Sequence, residues 1–290
     1  MRTLRNPALL LPCLLPLVAV AAAIPPAAKA GTGGAPPRKA KAAAAPAAAD
    51  GTLNLDRHFG AYRGTFVLHD VSTGRTLRYH PERADRAMPP CSTFKIVNSL
   101  IGLETGVLKD ENHLYKWDGV KRPIEEWNRD HTLKSAIQVS SVWYYQRLAK
   151  EIGPERMRTY LQKLGYGNGQ IGDDVTTFWL DGPLLVSPNE QVRFLTRLQA
   201  GDVPFSPRTQ NIVKKIMVQD TPGSTSVLRA KTGTAGDLKN NTATYGWYVG
   251  YVTRGKRTYV FATFLEGGEN PSGRTAGSIT RAVLKDRGLL

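Results

Sequence analysis

The sequence predicts an α+β fold: one antiparallel sheet drawn from both ends of the chain, flanked by terminal helices, with an all-helical lobe inserted between. Three observations carry that reading. Periodic segments come in the order strands, helices, strands, helix. The strand segments form hairpins, with Ser72-Thr73-Gly74 and Arg254-Gly255 at the turns, so neighbours pair antiparallel. The middle of the chain repeats its apolar residues at helical spacing, with proline and glycine at the boundaries.

Taken in order, Arg2 and Arg5 precede an uncharged, Leu- and Ala-rich run from Ala8 to Ile24, followed by small residues. That is the pattern of a secretory signal peptide. The run is short for a membrane span and Pro12 and Pro16 interrupt it, so no stable span is expected after cleavage. Residues 1–30 are assigned to this leader, with Ala21-x-Ala23 or Ala28-x-Ala30 at its cleavage site, and export to the periplasm or medium is expected. Residues 31–49 are rich in Ala, Pro and Lys and too poor in apolar surface to fold, so they read as a disordered linker.

The folded domain is expected over 50–290. Thr65–Val71 and Arg75–Tyr79 read as a hairpin, and a helix follows Pro89-Pro90. Glu111 to Thr132 reads as mostly loop. Val142, Tyr145, Leu148 and Ile152 form one helical stripe. Pro154 opens a second helix, burying Met157, Leu161 and Leu164, and Gly165 closes it. Ser187-Pro188-Asn189-Glu190 is a capping box, and Ser206-Pro207 opens another helix that buries Ile212, Val213 and Ile216. Val227–Thr232, Tyr245–Val252 and Thr258–Leu265 read as strands, and Ala276–Asp286 as the last helix.

Charge and cysteine usage narrow the function. The net charge is +15, and residues 1–49 hold six basic residues and no acid, which leaves the domain at +9. A basic surface favours anionic ligands. No basic run is interleaved with aromatics, however, and no nucleic-acid motif is present, so no nucleic-acid partner is expected. Cys13 falls in the leader and Cys91 stands alone, which excludes an internal disulfide and reads as a small buried hydrophobe. The five histidines lack metal-ligand spacing, so no metal is expected.

Ser92-Thr93-Phe94-Lys95 places a hydroxyl and an amine one helical turn apart. A serine needs a base to become a nucleophile, and a lysine can be that base only when an apolar pocket keeps it neutral. Three further stretches follow: Ser140-Ser141-Val142, Tyr166-Gly167-Asn168 with Phe178-Trp179-Leu180, and Lys231-Thr232-Gly233 at a strand end. Singly each is weak. Ser140 reads equally well as a helix N-cap, and Trp179 as core.

In order and spacing these stretches resemble the class D, oxacillinase-type, serine β-lactamases. Lys116-Trp117-Asp118-Gly119 and Arg129-Asp130-His131-Thr132-Leu133 match as well, so the resemblance runs from about Gly51 to the C-terminus. It implies a β-lactamase/transpeptidase-like fold with the active site between sheet and helical lobe, and a small-molecule β-lactam as substrate. It implies Ser92 as nucleophile and Lys95 as general base, carboxylated by CO2, with Val142, Trp179 and Leu180 around the carbamate. No other cofactor is implied. Ser140 and Lys231 would pass a proton to the departing nitrogen. Thr232, Gly233 and Thr234 would bind substrate, with the Ser92 and Thr234 N–H groups holding the oxyanion. An arginine before the last helix would bind the substrate carboxylate; the counted slot is near Ala276, and Arg274 is the arginine available. A β-lactam sensor domain that acylates without turnover carries the same motifs. A peptidoglycan peptidase would have Ser-x-Asn in place of Ser140-x-Val142.

Overall fold

The computed structural model describes residues 50–237, 239–240 and 242–290. The expected leader and linker lie outside the described residues. A seven-stranded sheet is built in the order β1-β3-β2-β9-β8-β7-β6. β1 (Gly51–Thr52), β2 (Arg63–Asp70) and β3 (Thr76–Tyr79) come from the start of the domain. β6 (Val218–Gln219), β7 (Val227–Asp237), β8 (Thr242–Arg254) and β9 (Arg257–Glu266) come from its end. The two groups join where β2 pairs β9, from Arg63↔Glu266 to Asp70↔Tyr259.

One edge departs from the expected antiparallel sheet: β1 runs parallel to β3. The chain turns between β1 and β2 through the short helix α1 (Asp56–Phe59), and again between β2 and β3. Two reversals leave β1 and β3 pointing the same way.

Both faces of the sheet are covered, so β8 is buried without a break from Trp247 to Val252. Its alternate residues serve different cores. Trp247, Val249 and Tyr251 join the core shared with the helical lobe, and Tyr248 and Val252 join the smaller core beside α8 (Gly273–Asp286).

The lobe comprises α2 (Lys95–Glu104), α3 (Leu133–Gln138), α4 (Val142–Ile152), α5 (Pro154–Leu164), α6 (Pro188–Ala200) and α7 (Pro207–Ile216). α2 is its axis, with Ile96, Val97, Leu100 and Ile101 fully buried. α5 ends at Gly165, which takes φ 63°. α6 starts on the expected capping box: Ser187 Oγ accepts from Glu190 N at 3.2 Å, and the Glu190 carboxylate accepts from Ser187 N at 2.8 Å. Ile212 and Val142 are half-buried, whereas the other stripe residues named above are buried.

Among the boundaries that differ from the sequence reading, three bear on the site. The stretch 111–132 is not all loop: β4 (Leu114–Tyr115) pairs with β5 (His131–Thr132), and Asp130 accepts from Trp117 N at 2.9 Å. β7 runs past Thr232 to Asp237, because β8 pairs it back to Thr242 through a bulge at Ala235/Gly236. α8 starts at Gly273, not Ala276, because Ser272 Oγ accepts from Thr275 N at 3.2 Å. Arg274 therefore lies inside the first turn.

Candidate active site

Ser92 lies in a 3-10 turn, Cys91–Phe94, that leads directly into α2. Lys95 is the first α-helical residue, and its Nζ donates to Ser92 Oγ at 2.7 Å. The lysine has no exposed surface. Burial drives its pKa well below the usual value, and repulsion from Lys231 pushes the same way. Both effects push the amine toward its neutral form, which carries a free lone pair.

Apolar groups surround it. The Tyr145 ring centroid is 5.4 Å from Nζ. Trp179 stacks at 5.6 Å on Phe94, the residue before Lys95, and is fully buried. Its indole N–H has no hydrogen-bond partner. A buried donor left unpaired costs about 1–3 kcal/mol. The loop carrying Trp179 is pinned by Asn168, which donates to Pro183 O at 2.9 Å and accepts from Leu185 N at 3.1 Å. The Tyr166-Gly167-Asn168 stretch thus acts on the site through that loop.

Ser140 is not an N-cap. It sits between α3 and α4 in the left-handed region at φ 58°, and Ser141 takes the position before α4. A non-glycine residue there carries strain, of the kind found at functional sites. The geometry aims Ser140 Oγ at Lys231 Nζ, which donates to it at 3.0 Å and to Thr232 O at 3.1 Å. Lys231 is buried, and burial alone lowers its pKa to about 7.

That value has a consequence for stability. Between pH 7 and the unfolded value near 10.5, the unfolded state holds the Lys231 proton and the folded state does not. The unfolded state then binds more protons, so stability rises with pH across that window. Urea unfolding from pH 7 to about 8, below the range where the Cys91 thiol and the tyrosines titrate in the unfolded chain, is expected to show the rise, and Lys231→Met to reduce it to the part that buried Lys95 contributes. A parent curve that is flat or falls contradicts the assignment.

β7 brings Lys231 to Ser92 only because Gly233 has no side chain. A Cβ there would lie 2.9 Å from Pro90 O and 3.2 Å from Thr93 Cγ2. On the α8 side, a Cβ on Gly273 would lie 2.5 Å from Gly233 O, and Gly273 N donates to Thr234 Oγ1 at 2.9 Å. β6 pairs with β7 only at Leu228 and Arg229. Ala230 N then bonds to Met217 O, so by alternation Thr232 and Thr234 turn their main-chain groups to the unpaired edge.

A cavity of 870 Å³ joins these groups, a size suited to a small organic ligand. Ser92, Ser140, Val142, Leu180, Thr232 and Thr234 line it, and so does Arg274 from the first turn of α8. Arg274 is exposed at this wall. Lys95 and Lys231 lie behind the lining, bonded to Ser92 and Ser140, and Trp179 and Gly233 are buried next to Leu180 and Thr232 in the chain. The sequence reading missed Asp181, Ile124 and Tyr245 as further wall residues. Asp181 could have been suspected from its place next to Leu180; the other two carry no local signal. Cys91 is buried, with its thiol pushed up to about 11 by burial. Among the described residues, no group of three or more His, Cys, Asp or Glu could hold a metal ion.

Known proteins place this geometry. Residues 64–285 match the penicillin binding protein transpeptidase domain. The probable beta-lactamase YbxI of Bacillus subtilis strain 168 is 43% identical over 238 residues, covering 82% of this chain and 86% of its own length. The crystal structure of a class D beta-lactamase from Bacillus subtilis superposes with a TM-score of 0.77 at 43% identity, covering 82% of this chain and 97% of that one. The chain belongs to the class D β-lactamase family. The fold of this class D chain is accordingly the β-lactamase/transpeptidase fold. It is also similar to the C-terminal domain of the Bacillus licheniformis BlaR penicillin-receptor, with a TM-score of 0.78 at 30% identity over 85% of this chain and 99% of that domain.

Proposed function

We propose that the protein hydrolyses the amide bond of β-lactams through an acyl-enzyme on Ser92, and so confers β-lactam resistance. The observation that carries this is the 2.7 Å contact between Ser92 Oγ and the buried amine of Lys95, on the wall of the 870 Å³ cavity. Ser92 attacks the lactam carbonyl as Lys95 takes its proton. The main-chain N–H groups of Ser92 and Thr234 hold the oxyanion, each worth about 2.7–4 kcal/mol. The Lys231–Ser140 pair hands a proton to the departing nitrogen; a lysine with a pKa of about 7 suits that relay. Thr232 and Arg274, with Lys231, bind the substrate carboxylate.

The lysine pocket suits CO2. A carbamate forms from a neutral amine, which burial supplies, and it needs a donor, which the unpartnered Trp179 N–H supplies. Val142 and Leu180 would wall it off from solvent. CO2 bound there would supply, in place of the amine lone pair, an anionic base at Ser92 for acylation and for the water that releases product.

Residues 1–30 are proposed as an export leader and 31–49 as a linker, which would place the enzyme in the periplasm or outside the cell. The likeness to a penicillin-receptor domain favours one other reading, acylation without release. Intact-mass spectrometry with excess penicillin, quenched early, is expected to show one adduct mapping to the peptide that contains Ser92. An adduct on another residue contradicts the assignment of the nucleophile.

A further inference from the structure

Away from the cavity, the strongest unexplained feature is positive charge at one end of the sheet. Arg254, Lys256 and Arg257 form the tip of the β8–β9 hairpin, and all are exposed. Arg254 and Arg257 face each other across the hairpin, an arrangement that like charges disfavour. The end of α8 lies beside them: a Cβ on Gly288 would be 3.6 Å from Arg254 Nη1. Lys285 and Arg287 are exposed there too. The α8 dipole favours Lys285, but it does not account for the hairpin.

The acids at this end are engaged elsewhere. Asp286 pairs with Arg57 and His58, Asp50 pairs with Arg78, and Asp70 accepts from Ser72. Among the described residues, Arg254, Lys256, Arg257, Lys285 and Arg287 have no ion pair.

The chain also enters the domain here. Asp50 accepts from Thr76 N at the start of β3, and Val71 N donates to Thr258 O at the start of β9. Within twelve residues upstream of Asp50 come Arg38, Lys39 and Lys41, with no acid among them. The cavity is at the other end: Thr244 and Tyr245 line it from the start of β8. Nine residue steps of strand separate Tyr245 from Arg254, roughly 30 Å.

We propose that this end of the sheet docks on an anionic phospholipid surface, with the cavity facing away from it. Flexible arginines and lysines on a protruding tip suit a flat array of phosphates, where each adds attraction that fades within a Debye length. A nucleic-acid strand would instead call for a groove with several stacking aromatics, whereas the hollow at this end has Tyr259 as its single aromatic, beside the carboxylates of Asp70 and Asp286. Substrate would arrive from the opposite side.

The test is vesicle co-sedimentation of the exported chain. Vesicles contain phosphatidylglycerol in phosphatidylcholine, or phosphatidylcholine alone, at about 0.05 M and about 0.5 M salt. Affinity for the anionic vesicles is expected to fall at least about tenfold at high salt, and phosphatidylcholine alone to bind only at background. R254E/K256E/R257E/R287E is expected to lose at least about tenfold at low salt while hydrolysing β-lactams like the parent. Should that variant fold poorly, the exposed pair K256E/R287E is expected to lose at least about tenfold. Equal vesicle binding by parent and folded variant overturns the proposal. So does salt-insensitive binding to phosphatidylcholine, or binding to soluble polyphosphate with none to vesicles.

Discussion

Replacing Lys95 by alanine is expected to lower kcat/KM for a penicillin by about 10²–10⁴-fold, the usual worth of a general base. That is roughly 3–5 kcal/mol of transition-state stabilisation. The reason is local. Ser92 Oγ has Lys95 Nζ at 2.7 Å, and no other base appears among its hydrogen bonds. If the same group also activates the water that releases product, acylation and deacylation slow together. Stopped-flow traces separate the two steps. Added bicarbonate leaves this variant unchanged, since no amine remains to take up CO2. A variant that turns over at near-parent rates contradicts the role of Lys95.

Replacing Trp179 by phenylalanine separates the indole N–H from the indole's bulk. The aromatic contact with Phe94 is largely kept, and only the donor that lacks a partner is lost. The smaller ring leaves a void in a fully buried site, so the melting temperature is expected to fall modestly. Activity is expected to fall, because a hydrogen bond to a charged acceptor is worth about 1.5–3 kcal/mol, or about 10–150-fold in rate. Bicarbonate is expected to restore part of it by mass action on the carbamate. Full activity without bicarbonate would make Trp179 a packing residue and no more.

The fold was legible where local chemistry decides. Ser187-Pro188-Asn189-Glu190 satisfies its own helix start, and Arg254-Gly255 makes its own turn. The first turn of α8 was hidden because Gly273 looks like a loop residue. Glycine is needed there for the approach to Gly233 O, a contact with a strand forty residues earlier. The two-residue mismatch at Arg274 follows from that: the helix begins earlier than its apolar stripe. Ser140 was visible as a motif but not as a strained residue, because its φ is imposed by the junction of α3 and α4. Ile124 and Tyr245 were invisible as wall residues, since only tertiary packing brings a loop and the start of β8 to one cavity.

The most direct test of the central claim is a turnover count. The purified protein is mixed with excess chromogenic β-lactam in the presence of bicarbonate, and ring opening is followed per mole of enzyme. Sustained hydrolysis, many substrate molecules per Ser92, is the predicted result. A burst of one equivalent that then stops would contradict it, and would make the protein a β-lactam receptor that acylates and stays acylated.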